Sequence, residues 1–419
     1  MANKEIFQVP VGTKDVLGEE ARSWVTLISK FSKIAHLYNY DLAITPTFEN
    51  YEVFARLGED TDIVSKEMYD FRDKGERHIA LKPEGTAGIV RAVAQSRPVM
   101  PFKAWYFTSV FRYERPQKGR LREHHQLGIE AFGIEDPLVD VEVIEFANEF
   151  LKSAGLRDYK LLINSLGDSD ARSKHLEALK SYFSKFEKSL GDEFSERVAR
   201  NPFRVLDTKV PEWLEVVEDA PQILDYISDE SRADFDFVCS NLSELGIEYE
   251  VVPKLVRGLD YYTNTTFEFV SQSLDAAQST VAGGGRYNKL VSQMGGPETP
   301  GIGFGLGIER LLLALESENV EVESRKLDAI VLDFVQNEIS RTLCHKIRRI
   351  LRKENCSLEN AFGAKSMKSS FKIADRSRAK FAIIVGEAEL ANDVVSLKNM
   401  ESGEQSEVSI EQLVENIKK

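Results

Sequence analysis

Cysteine is scarce. The three present in 419 residues (Cys239, Cys344 and Cys356) are too few and too scattered for a disulfide frame or a zinc site. A reduced, cytoplasmic setting is the expectation. No run of about 18 apolar residues exists, which excludes a helical membrane span. The N-terminus carries Glu5, Asp15, Glu19 and Glu20 and has no apolar stretch, so neither a signal peptide nor an Arg-rich transit peptide is expected. Positive charge is in deficit: 54 Lys and Arg stand against 68 Asp and Glu, a formal net charge of −14. That balance argues against a general nucleic-acid coat protein, yet leaves room for a local basic patch. Internal repeats and low-complexity tracts are also missing. What remains is a globular profile, 42% hydrophobic and 29% charged, at a length that normally divides into two or three domains.

The charge is unevenly spread. From Leu327 to Lys419 there are 15 basic and 14 acidic residues, a net of +1, which leaves −15 on the first 326. The Glu-rich stretch from Glu316 to Arg325 separates the two regimes and reads as a solvated linker. After it, Leu327-Asp-Ala-Ile-Val-Leu-Asp-Phe334 has the apolar density of a buried strand, Arg341–Glu354 is helical, and Phe381-Ala-Ile-Ile-Val385 is a second strand. Strand, helix, strand at this spacing predicts a small α/β domain over 327–419 with a parallel sheet. Its basic residues cluster at Arg341–Lys353 and Lys365–Lys380. Within 1–326, segments 100–134 and 255–310 behave as strands and hairpins. Between them, at about 170–250, Leu176, Leu179, Phe183 and Phe186 recur at helical steps. The prediction is an α+β domain on an antiparallel sheet, interrupted by a helical insertion.

The polar residues of the strands fall on one face. In Glu123-His-His-Gln-Leu-Gly-Ile-Glu-Ala-Phe132 the period of two puts His125, Leu127, Ile129 and Ala131 on an apolar side. His124, Gln126, Gly128 and Glu130 share the other, where a ligand can approach the backbone at the glycine. The pattern equally fits a solvent-facing strand. The strand before it ends in Arg112. The connection Glu114-Arg-Pro-Gln-Lys-Gly-Arg-Leu-Arg122 carries four positive charges. A planar guanidinium fork suits phosphate, and a basic loop suits an RNA backbone; a solubilised hairpin tip is the plainer use. In Gly301-Ile-Gly-Phe-Gly-Leu-Gly-Ile-Glu-Arg310 the glycines recur at steps of two, matching neither the dinucleotide fingerprint nor the P-loop. A flat ring can lie across such a strand, or a neighbouring element can pack closely on it. Lys82-Pro-Glu-Gly-Thr-Ala-Gly88 is a turn entering a helix, where Glu84 and Thr86 either cap the first turn or receive a substrate ammonium. His36, His78, His175 and His345 show no metal-ligand spacing.

In combination these pieces resemble the class II aminoacyl-tRNA synthetases. Phe111-Arg-Tyr-Glu with its basic loop is similar to their motif 2, Gly301–Arg310 to motif 3, and Pro46 after a helix to motif 1. Arg257-Gly-Leu-Asp-Tyr-Tyr262 and Ala282-Gly-Gly-Gly-Arg-Tyr287 resemble the histidyl-tRNA synthetase family specifically. Phe362–Ser369, Ala374-Asp-Arg376 and Val385-Gly-Glu387 are similar to that family's anticodon-binding domain. The likeness runs from Gly12-Thr-Lys-Asp15 onward, with the helical insertion only loosely matched.

The resemblance implies ATP-dependent ligation of L-histidine to tRNA(His) through histidyl-adenylate, in a homodimer, with Mg²⁺ bound with ATP and no metal site from protein alone. It implies catalytic roles for Arg257 and Arg112, and ATP contacts from Arg112, Arg310, His124 and Glu114. Histidine would meet Glu84, Thr86, Gln126, Glu130, Tyr261, Tyr262, Tyr287 and Arg257. The tRNA would meet Arg115, Gln117, Lys118 and Arg120. His124 stands where many class II enzymes have Phe, and Leu121 where Tyr is common. A site reading both imidazole nitrogens rejects side chains lacking them by about 10⁴–10⁵, so no editing domain is expected and the insertion is assigned to tRNA contact. A regulatory subunit of ATP phosphoribosyltransferase, a non-enzyme similar to the catalytic domain, is the alternative; such chains usually lack the anticodon-binding domain and erode the arginines retained here. Removal of residues 327–419 is expected to weaken tRNA charging far more than adenylate formation. Equal losses in both assays would give that segment a structural role instead.

Overall fold

The computed structural model describes residues 6–56, 63–206, 208, 210–275, 279–323, 326–364 and 366–418. Glu5, Arg325 of the acidic stretch and Lys365 of the C-terminal signature lie outside the described residues. The chain divides into two compact units, residues 1–323 and 324–419. Among the described residues no helix is long and apolar enough to cross a membrane.

The first unit is built on an eight-stranded sheet. In chain order its strands are β1 (Asp41–Leu42), β2 (Phe102–Phe111), β3 (Glu123–Phe132), β4 (Tyr159–Ser165), β5 (Tyr249–Val251), β6 (Thr263–Ser271), β7 (Thr280–Arg286) and β8 (Gly301–Gly307). Across the sheet they run β1-β2-β3-β8-β7-β6-β4-β5. All central pairings are antiparallel, and only the two outermost, β1 with β2 and β5 with β4, are parallel. The antiparallel expectation therefore holds for the body of the sheet, while parallel edges make it mixed.

Strand parity decides which face is core. Leu127, Ile129 and Ala131 of β3, Ile302, Phe304 and Leu306 of β8, and Phe267 and Phe269 of β6 are all buried on one side. Against them pack helices α1 (Gly18–Leu37) and α3 (Leu138–Ala154), the latter following α2 (Thr86–Ser96) in the chain. Phe31 of α1 is the hub of this layer, with ring centroids 5.1 Å from Phe146, 4.9 Å from Phe150, 6.0 Å from Trp105 and 6.2 Å from Phe304. Burying such rings removes the sheet's apolar face from water and leaves its other face for polar work.

The segment at 170–250 is of two kinds. Helix α4 (Ser169–Phe183) and the short helices through Glu218 enclose a core of their own, with Leu179, Phe183, Phe194 and Trp213 at its centre. Helix α5 (Asp229–Glu244) instead contributes Phe235, Val238 and Leu242 to the main core, and the chain then enters the sheet as β5. A helical period tells how a segment coils and not which core receives it. A three-stranded sheet of Phe48–Asn50, His78–Leu81 and Asp70–Arg72, absent from the sequence reading, flanks the large one. Its strands are too short to leave a period.

The second unit holds a five-stranded sheet. Ala329–Asp333 lies between Leu358–Asn360 and Phe381–Val385, parallel to both, and Val394–Asn399 and Gln405–Ser409 continue it antiparallel. The expected parallel sheet is thus only part of it. The added hairpin is more polar, with Gln405, Ser406 and Glu407 exposed, so it lacked the apolar density that marked the others. Cys344, Ile347 and Leu351 of Glu338–Lys353 cover one face.

Phe31→Ala is expected to cost about 3–5 kcal/mol, the usual range for deleting a fully buried ring, read as a lower denaturant midpoint at unchanged slope. A loss below about 1 kcal/mol would mean this aromatic layer does not organise the core.

Candidate functional site

The polar face of the sheet is a strip nearly free of side chains. In register across it, Glu268, Gly283, Gly305, Gly128 and Tyr106 form one row. The next row is Thr266, Gly285, Gly303, Glu130 and Ala104. Glycine here is a steric requirement. A Cβ on Gly303 would lie 1.8 Å from Glu130 Oε2, one on Gly301 would lie 2.4 Å from the Tyr287 ring, and one on Gly283 would lie 2.4 Å from the Arg257 guanidinium. Two glycines of the β8 ladder are therefore covered by this chain's own side chains. Gly305 and Gly307 instead line an open cavity, so a ring would have only that half of the strand.

At one end of the strip sits a buried carboxylic acid among phenols. Glu130 accepts from Thr86 Oγ1 at 2.6 Å on one oxygen and from the Tyr287 hydroxyl on the other. Among the described residues no cation pairs with it. Burial pushes its pKa up to about 8, against the pull of the Thr86, Tyr287 and Tyr106 hydrogen bonds. The Tyr261 and Tyr262 hydroxyls are 3.5 Å apart, and the Tyr261 ring packs edge-on to Tyr287 at 5.8 Å. Glu84 closes the same pocket. Its oxygens accept from the backbone N–H groups of Thr86 at 2.8 Å and Ala87 at 2.6 Å, at the start of α2. Burial raises the Glu84 pKa despite these bonds. The capping role read from the sequence is thus present whatever else Glu84 does. Gln126 Oε1 accepts from Gly85 N at 3.1 Å and ties the turn to the sheet.

The other end is basic. Arg112, Arg120, Arg257 and Arg310 line a cavity of about 220 Å³, together with Glu114, His124, Gln126 and the bare backbone of Gly283, Gly305 and Gly307. Arg112 is aimed by its Nε donating to Pro83 O at 2.9 Å, and Arg310 by donating to Thr280 O at 2.8 Å. Arg310 opens α6 (Ile308–Ser317), the helix that follows β8. Burial and the neighbouring guanidinium groups of Arg120 and Arg112 lower its pKa. Burial, with Arg112 and Arg310 behind it, holds His124 well below the usual histidine range, so its ring is neutral. Like charges gathered in a recess are a standing demand for an anion. Arg257 stands between the two ends, paired with Glu268 and 5.7 Å from the Tyr262 ring centre.

The sequence candidates therefore converge, with three exceptions. Arg115, Gln117 and Lys118 are exposed on the loop outside the cavity, whereas Arg120 turns into it and pairs with Glu114. Several neighbours were missed. Tyr106 packs against Gly85 and Gly128, where a Cβ would come within 2.3 Å and 2.4 Å of its ring. Glu268 holds Arg257 and accepts from Thr280 Oγ1 at 2.8 Å. Parity carried both signals: Tyr106 and Thr108 alternate with Trp105 and Phe107, and Glu268 sits between Phe267 and Phe269. Buried Arg286 binds Asp140 through Nε at 2.8 Å and the carbonyls of Ile134, Glu135 and Asp136 at 3.0–3.1 Å, which anchors the residue before Tyr287.

The comparisons with known proteins fall on the same regions. A family model described as histidyl-tRNA synthetase matches residues 12–311, and one described as an anticodon binding domain matches residues 328–419. A histidine–tRNA ligase of Lactiplantibacillus plantarum is 45% identical, with 96% of each chain covered. One of Clostridioides difficile is 44% identical, with 99% of each covered. The crystal structure of apo S. aureus histidyl-tRNA synthetase superposes with a TM-score of 0.80 at 36% identity, covering 99% of this chain and 100% of that one.

Glu130 also makes stability depend on pH. Its folded pKa of about 8 lies above the ordinary 4.5, so the native state binds the extra proton between those values and stability falls as pH rises through that window. Glu130→Gln should remove this slope and melt on the order of a few degrees higher than the wild type near pH 8. Parallel melting curves for the two proteins across the window would show that no proton is held there.

Proposed function

The chain belongs to the histidyl-tRNA synthetase family, and from that membership we infer that it ligates L-histidine to tRNA(His) at the expense of ATP, by way of histidyl-adenylate. The observation that carries this reading is the pairing of a buried acid–phenol pocket with a basic cavity along one glycine strip. In the first half-reaction the histidine carboxylate attacks the α-phosphorus, a C–O–P bond forms, and the bond to pyrophosphate breaks. In the second, a hydroxyl at the 3′ end of the tRNA takes the histidyl group and AMP leaves.

Where the side chains stand supports a role for each. Arg112 and Arg257 hold the α-phosphate from two sides, where charge develops, and Arg310 holds the γ-phosphate. His124, as a neutral ring, and the bare backbone at Gly305 and Gly307 accept the adenine. Such fixed groups position and stabilise the transferring phosphoryl without covalent chemistry by the protein. Mg²⁺ would share the phosphates' negative charge. Glu114, a carboxylate in the cavity wall, is the oxygen donor that suits it. The ion is proposed to bind together with ATP.

The imidazole of histidine is placed against Glu130 and Tyr262, with Tyr287 beside them. Its amino group goes toward Glu84, Thr86 and Gln126. Arg115, Gln117 and Lys118, exposed on their loop, face the tRNA, and the second unit reads unpaired anticodon bases. A two-fold dimer and a cytoplasmic location complete the proposal.

Amino-acid-dependent ATP–pyrophosphate exchange tests it. Histidine alone among the twenty amino acids should support exchange, and Arg257→Ala should lose at least about two to three orders of magnitude, the usual effect of removing one preorganised charge. Exchange driven by another amino acid would overturn the Glu130 and Tyr262 placement. No exchange, with histidine still bound, would favour a histidine-sensing non-enzyme. Sedimentation as a monomer at working concentration would refute the dimer.

A further inference from the structure

Arg257, Tyr261 and Tyr262 all stand on residues 252–262, a stretch between β5 and β6 with no helix or strand of its own. Its first part is fastened to β4. Val252 N donates to Ile163 O at 2.9 Å, and Asn164 Nδ2 donates to the carbonyls of Pro253 and Leu255 at 3.1 Å. The part that carries the site is held from another direction. Arg172 of α4 donates through Nη1 to the Asp260 carbonyl at 3.0 Å and through Nη2 to Asp260 Oδ1 at 3.1 Å.

The grip is two-pronged and falls on one residue. A planar guanidinium that meets both the backbone and the side chain of Asp260 fixes its position and its rotation together. Asp260 directly precedes Tyr261 and Tyr262. Arg172 is itself anchored. Asp168 caps α4 by accepting from Ala171 N at 2.8 Å. The turn before it is bonded twice to Asn264: Leu166 N donates to Asn264 O at 2.8 Å, and Asn264 N donates to Gly167 O at 2.9 Å. The Arg172 guanidinium also lies 5.0 Å from the Phe203 ring centre, a cation–π contact within the helical segment. The first turn of α4, the start of β6 and the two tyrosines thus form one frame. Arg257 is fastened separately, by Glu268 of β6.

We propose that Arg172 is a positioning residue for histidine: through Asp260 it sets Tyr261 and Tyr262 in the acid–phenol pocket. The helical segment then takes part in amino-acid binding, besides the tRNA contact expected of it. This role rests on the place given to Tyr262 in the proposed function. The basic cavity is walled by other residues, so loss of Arg172 falls on histidine and spares ATP.

Arg172→Met keeps an unbranched stem beside Phe203 and removes both donors. In the full-length chain it should raise the calorimetric Kd for histidine, and the histidine KM in exchange, at least about tenfold. The ATP KM should change by less than about threefold, as for a site whose own contacts are kept. Asp260→Asn keeps both acceptors and should bind histidine nearly as the wild type does. Arg172→Lys, a point charge without the fork, should recover only part of the loss. Melting curves check each variant. Should Arg172→Met not fold, Asp260→Ala, which removes one of the two acceptors, should show the same split between the histidine and ATP KM. Equal rises in the two KM values would make the Arg172 contact a general structural one and overturn the proposal. Unchanged histidine binding in Arg172→Met or Asp260→Ala would do so outright. Either result leaves the proposed function standing, whereas a wild-type chain that neither binds histidine nor supports exchange would contradict both.

Discussion

One steric fact underlies the site: Glu130 and the backbone of Gly303 occupy space that no side chain can share. A carboxyl group carried on the middle of a sheet, with its oxygens against the next strand, needs a neighbour without a Cβ. The same condition recurs at Gly301 beneath Tyr287 and at Gly283 beneath Arg257. Each glycine weakens its strand in isolation, because it loses more backbone freedom on folding and packs nothing. The compensation lies on the opposite face, where Ile302, Phe304 and Leu306 alternate with those glycines and are buried in the aromatic core. The core layer around Phe31 and the empty strip are two consequences of one alternation.

That division also sorts the electrostatics. On the tyrosine side, burial keeps Glu130 protonated and raises the pKa of Tyr261, Tyr262 and Tyr287. On the arginine side, burial and like charge lower Arg310 and His124. The two environments are opposite in sign but share a cause, the withdrawal of titratable groups from water. Arg257 belongs to both, its charge met by Glu268 and its guanidinium lying over Gly283. A substrate with an uncharged ring at one end and a carboxylate directed toward a triphosphate at the other matches that gradient.

Strand parity was the part of the site most legible in the sequence. It placed Gln126, Gly128 and Glu130 on one face and the apolar partners on the other, and β3 presents them that way. The glycine ladder was visible too, but not its use. Whether a bare strand receives a ring or the chain's own side chains depends on Tyr287 and Glu130 arriving from 14 and 173 residues before the glycines they cover, and local pattern carries no such information. Tyr106 and Glu268 were missed for a related reason: each looks like a strand residue of ordinary polarity until register sets it beside Gly128 or Gly283. The helical segment shows the same limit at the scale of the fold. Its period was clear, yet α5 serves the main core and α4 a core of its own.

The protonated state of Glu130 bears on how an imidazole can be recognised at all. A neutral imidazole offers one donor and one acceptor, while a carboxylate only accepts and a carboxylic acid can also donate. With a pKa near 8 in the unliganded pocket, Glu130 holds a proton in a range that overlaps the ring's own. In the proposed complex the pair has two arrangements of equal net charge, an acid facing a neutral ring or a carboxylate facing an imidazolium. The proton belongs to the pair and not to either partner. Tyr287 and Thr86, each able to turn its hydroxyl, hydrogen-bond the carboxyl group in either state. A side chain with no titratable ring leaves that proton on Glu130 and its hydroxyl without a partner in a site closed to water. Discrimination in such a pocket comes from what the wrong ligand leaves unsatisfied, more than from what the right one adds.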